Sequence, residues 1–139
     1  MNVRGFDALA RMHRFRMDEH RRKAAEVEAM RDEFMQQDAA LDAQLNREKS
    51  ALSLEDLAVT DFAAYSKGIE TRREALAKSI AEVTRALGRI NEQMASEYRE
   101  AKKFELALER EEKRKKHIAA RAEQMELDEI GLTYHGRGA

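Results

Sequence analysis

Every seventh residue from Phe62 onward falls into one column: Phe62, Ile69, Leu76, Val83, Ile90, Glu97, Phe104, Glu111, Ile118, Met125 and Leu132. A second column interleaves with it and holds Ile80, Leu87, Met94, Ala101, Leu108, Lys115 and Ala122. Spacing that alternates between four and three marks an α-helix whose narrow apolar stripe faces another helix in a left-handed supercoil. A strand requires period two, and no such run interrupts the columns. Proline is absent, so no residue obliges either helix to break.

The partner helix lies upstream. The spacing predicts a first helix over about residues 6–50, with the seam Phe6, His13, His20, Val27, Phe34, Leu41 and Glu48. Residues 51–61 break the pattern and predict a turn with a short helix inside it. Ser53 followed by Glu55 and Asp56 has the form of an N-cap with acids in the first turn, and Thr60-Asp61 offers a second cap. The second helix is expected over about 62–130, with Gly68 and Gly88 as soft points, each costing about 1 kcal/mol against alanine. Gly131 is expected to stop it, leaving 131–139 frayed.

A connection of this length returns the chain antiparallel. With the tip near Leu57, positions whose numbers total about 114 face each other, so Val27 meets Leu87, Phe34 meets Ile80 and His20 meets Met94. The expected fold is all-α: one domain, a long antiparallel two-helix coiled-coil hairpin with an extended C-terminal helix. Its seam is Val27, Phe34 and Leu41 against Ile69, Leu76, Ile80, Val83, Leu87, Ile90 and Met94, continued by Phe104 and Leu108. Apolar content falls beyond Leu108, so residues 111–139 are expected to depend on a partner for their order.

Composition agrees with a thin seam rather than a thick core, since 38% of the 139 residues are charged and 6% are aromatic. Without cysteine there is neither a disulfide nor a thiolate metal site, which fits a reducing compartment. No apolar run approaches the length of a membrane span, and no secretory leader is evident.

The net charge of −1 conceals blocks. Residues 4–23 carry seven basic and three acidic side chains, and 102–121 carry eight and four, so each is +4. Residues 24–56 are −6 and 122–139 are −3. The antiparallel return brings the two basic blocks to one end, a field suited to an acidic partner. Nucleic acid is a competing explanation for that charge. Acids interleave with the bases throughout and the three tyrosines are scattered, so DNA or RNA is not the expected partner.

His13 and His20 share a face, with Glu97 expected opposite. One reading is a metal site or pH switch; the other is polar seam residues that set register. No metal-ligand spacing supports the first, and no metal or cofactor is expected. Phosphate loops and nucleophile motifs are likewise missing: Gly136-Arg137-Gly138 is the sole Gly-x-Gly, and no Gly-x-Ser-x-Gly occurs. The chain is not expected to be an enzyme.

Four segments carry a resemblance. They are Arg11-Met12-His13-Arg14-Phe15-Arg16-Met17-Asp18-Glu19-His20-Arg21-Arg22; Ala64-Tyr65 with Arg72-Arg73 and Leu76; Glu100-Ala101-Lys102-Lys103-Phe104-Glu105 through Glu109-Arg110; and Glu123-Gln124-Met125-Glu126-Leu127-Asp128-Glu129-Ile130-Gly131. In this order and spacing they resemble the flagellar export protein FliJ family, related to the YscO proteins of injectisomes, over nearly the whole chain. The tail from Leu132 matches no part of it.

The resemblance implies a stalk-like, non-enzymatic coiled coil of the type III export apparatus. Such proteins bind and stimulate the export ATPase hexamer, contact the cytoplasmic domain of the export gate and handle export chaperones. It further implies a cytoplasmic protein that reaches the membrane only through partners. Chosen for charge and expected exposure, the candidate partner contacts are Arg14, Arg21, Arg22, Lys113, Arg114, Lys115 and Lys116, on the end taken to enter the ATPase pore. The tip near Leu54, Leu57 and Phe62 is a second docking candidate. A self-contained hairpin is expected to be monomeric when free; a structural adaptor that pairs helices between chains is the alternative.

Overall fold

The computed structural model describes residues 2–52 and 59–137, and all of them except Asn2 are helical. Two helices follow in order, α1 (Val3–Leu52) and α2 (Val59–Arg137). No strand occurs among the described residues. The fold is an all-α, antiparallel helical hairpin.

Helix α1 begins earlier than the apolar pattern suggests, because a cap rather than a seam residue sets its start. The Gly5 N–H donates to Asn2 Oδ1 at 3.0 Å, and the Phe6 N–H donates to the Asn2 carbonyl at 3.2 Å. A side-chain oxygen at that place satisfies an amide left orphaned by the first turn. The short helix and the tip expected at Ser53 to Leu57 lie outside the described residues. Past them, Asp61 sits in the first turn of α2, where a negative charge favours the helix dipole.

The expected stop at Gly131 does not occur. A glycine ends a helix by adopting positive φ, and no glycine among the described residues does so. With no proline to follow, α2 continues to Arg137.

Packing divides the chain into two units, each antiparallel in itself. The first comprises Asp18–Ala95. Its buried cluster is Ala24, Val27 and Leu87, with Val83, Ala86, Ile90 and Met94 packed against it. Ile69 is buried as well, and Phe34, Leu41, Leu76 and Ile80 are partly buried. Apolar residues thus recur on the sides of both helices that face inward, as a two-helix seam requires.

Gly68 and Gly88 are exposed, and a Cβ added at either would meet no atom within 4 Å. Helix propensity then acts without steric penalty. Gly68→Ala and Gly88→Ala are each expected to stabilise the protein by about 0.5–1 kcal/mol in urea titrations.

The second unit joins Met1–Met17 to Ser96–Ala139. Ala10 and Ala101 are 5% and 0% exposed, and Met17 is buried as well. Small residues at such positions let two backbones approach closely. Phe104 and Leu108 are partly buried, but that cover ends within one turn. From Glu112 to Gly136 every residue is exposed. Residues 112–136 therefore form a helical segment that no other described part of this unit covers.

Candidate functional site

The polar chemistry of each unit is built on arginine and histidine lying across from carboxylates. In the unit that holds both chain ends, His13 Nδ1 lies 2.5 Å from Glu97 Oε2. The imidazole stacks on Phe104, with ring centroids 5.7 Å apart and planes 7° from parallel. Phe6 also meets Phe104, with ring centroids 6.5 Å apart and planes tilted by 31°. A histidine held between an aromatic face and a carboxylate has a single place along the seam, so the pair sets register at this point. Glu97 is expected opposite the face that His13 and His20 share, and it is His13 that reaches it. No group of three or more His, Asp or Glu side chains among the described residues is placed to hold a metal ion.

Arg14 lies next to this layer. Its Nε and Nη2 donate to the two oxygens of Glu105 at 2.8 and 2.9 Å, and its guanidinium sits 5.4 Å from the centre of the Tyr98 ring. Two parallel charge-assisted bonds with a stacked ring hold the side chain along the seam edge. Sequence position alone suggests an exposed contact for Arg14. Here it is a clasp between α1 and α2, with only 35% of its side chain exposed. The Arg14 hydrogen bond holds the Glu105 carboxyl below the usual carboxylate range.

The other unit has its own clasp. Arg73 Nε donates to Asp38 Oδ1 and Nη1 to Asp42 Oδ1, both at 2.9 Å. Asp38 and Asp42 stand one turn apart on α1, so one guanidinium spans both. The hydrogen bond from Arg73 lowers the Asp38 pKa, and the bond to Asp38 raises that of Arg73.

These shifts carry a pH dependence whose sign follows from linkage. A carboxyl with a depressed folded pKa adds stability above its unfolded pKa, about 3.9 for Asp and 4.3 for Glu, and loses it as pH falls through the folded value. Stability should hold from pH 7 to about 5 and then decline below pH 4. Urea midpoints measured across that range check the trend, and Arg73→Gln should flatten the acid limb.

Of the remaining candidate contacts, Arg21 pairs with Asp18 on its own helix at 3.2 Å, and Arg22 is exposed. Both belong to the unit of the Arg73 clasp, whereas Arg14 and Lys113 to Lys116 belong to the other. Lys113 pairs with Glu109 and Arg114 with Glu111, each within α2. Lys115 and Lys116 are exposed and have no ion-pair partner among the described residues. Surface pairs of the i,i+3 and i,i+4 kind are weak, so the run from Lys113 to Lys116 is available to an acidic partner.

The grooves along the unit Asp18–Ala95 are shallow and open, as between Leu41 and Leu76, and Phe62 lines another. No helix among the described residues is long and apolar enough to cross a membrane. Comparison of the chain with protein-family models, with curated proteins and with solved structures finds no match.

Proposed function

We propose that the chain is a non-enzymatic component of the flagellar type III protein export apparatus. In this reading it binds and stimulates the export ATPase hexamer and links it to the cytoplasmic domain of the export gate and to export chaperones. The observation that carries the reading is the ordered run of four FliJ-like segments over nearly the whole chain. Antiparallel pairing of α1 with α2 in each unit supports it, since that is the architecture the resemblance implies.

The basic run Lys113 to Lys116 is the contact for the ATPase. It stands on the part of α2 that carries no packed neighbour in its unit, so it meets a partner without any seam contact being broken. Electrostatic attraction of this kind speeds encounter and orients docking more than it adds affinity. Work of this sort is done in the cytoplasm, at the face of the membrane that holds the export gate.

Co-purification with the cognate export ATPase tests the proposal. The chain is expected to hold the ATPase through gel filtration and to raise its turnover. Separate elution with unchanged turnover would sink the reading. A second reading, a structural adaptor that pairs helices with another chain, is favoured by the apolar residues left bare on α2, among them Ile118 and Met125.

A further inference from the structure

The segment of α2 from Glu112 to Gly136 has two features that its own unit leaves unused. The first is apolar surface. Ile118, Met125 and Leu132 continue the heptad column that Phe104 occupies in the packed part, and they are 52%, 68% and 74% exposed. In proteins most helical stability comes from packing of an apolar face, and on this stretch of α2 that face has no cover from its own unit. The second feature is a polarity of charge along the axis. Residues 113–121 hold five basic side chains and no acid, and 123–129 hold four acids and no base.

From these we infer that the segment pairs with the same segment of a second copy, antiparallel, about a point near Ala122 and Glu123. Charge complementarity selects both the occupant and the direction. A parallel pair would set Lys113 to Lys116 of the two copies side by side, a costly like-charge contact. The antiparallel pair lays each basic half along the other copy's acidic half. The seam charges agree with that arrangement. Lys115 and Glu129 lie one heptad before and one heptad after Ala122, so each reaches the opposite charge of the second copy. Arg121 comes beside Asp128, and Met125 packs on Ala122. The hairpin closes its own seam without a second chain, so self-association resides in this segment. The inference does not depend on the export reading.

The test uses the full-length chain alone, in sedimentation equilibrium and light scattering from micromolar to submillimolar concentration. A monomer–dimer equilibrium is expected, weakening as salt rises. Lys115→Glu and Glu129→Lys, made singly, should each weaken the dimer by about tenfold or more, because each places like charges together at two symmetric points. Combined in one chain they restore complementarity, and dimerisation should return toward the original level. For direction, a nitroxide at Glu112→Cys should report its counterpart about 30–35 Å away, against about 10 Å in a parallel pair. A monomer at every concentration, single reversals without effect, a double reversal that does not rescue, or the short distance would each overturn the inference.

Discussion

Leu87→Ala is expected to destabilise the protein by about 2–3 kcal/mol, the lower part of the range for a buried leucine. Leu87 is 6% exposed at the middle of the Ala24–Val27 cluster, with Val83 and Ile90 beside it. A seam two helices thick has no third layer to hold a cavity open, so its walls collapse in part and the loss stays below that of a deep core. It is still a large share of what a thin seam supplies. The melting temperature should fall by roughly 10 °C. Leu127→Ala is the matched control: the same atoms are removed from a side chain that is 56% exposed, and the melting temperature should hold within a degree or two. Thermal unfolding followed by circular dichroism at 222 nm measures both. Equal effects would show that helix propensity, not burial in the seam, sets the stability.

Reversal of the whole run, Lys113→Glu with Arg114→Glu, Lys115→Glu and Lys116→Glu, is expected to have the largest functional effect. Four exposed cations become anions on a segment that makes no packing contacts in its unit. Folding should therefore be little changed, apart from the local pairs of Lys113 with Glu109 and Arg114 with Glu111. Binding to the cognate ATPase ring should drop by about tenfold or more at physiological salt, with stimulation of turnover lost in parallel. Ring binding and ATPase rate, measured side by side, decide it. Unchanged stimulation would remove this surface from the proposed mechanism. Because Lys115 also serves the proposed self-pairing, the dimer constant of the same variant is to be measured without ATPase, so that the two losses are read separately.

Much of the packing was legible because a coiled coil writes its contacts at fixed spacing. Val27 and Leu87 meet in one cluster, as antiparallel counting places them, and His13 meets Glu97, which the sequence sets opposite the face His13 shares with His20. The Arg73 clasp was open to the same arithmetic. Asp38 and Arg73 flank the seam at nearly opposed positions, and a search for opposite charges there would have found them. Arg14 was not open to it. Its partner Glu105 lies farther along α2 than the facing position, and only a long side chain lying along the groove makes the bond. An arginine selected for charge thus proved to be held across the seam.

The helix ends show the same division. Heptad counting marks where apolar contact begins and has no bearing on where hydrogen bonding does. The Asn2 cap lies outside the pattern, and Gly131 passes through as an ordinary helical residue because nothing forces its φ positive. By itself, the order of residues determined helical periodicity, the two long helices and the side of each that turns inward, since those follow from backbone sterics and the segregation of apolar side chains. Only the tertiary structure decided which charges are tied across the seam and which stay available, and that α2 runs unbroken through the bare Ile118 to Leu132 stripe to Arg137. Those outcomes depend on how far side chains reach across a gap and on whether a second surface stands opposite, neither of which is a local property of the chain.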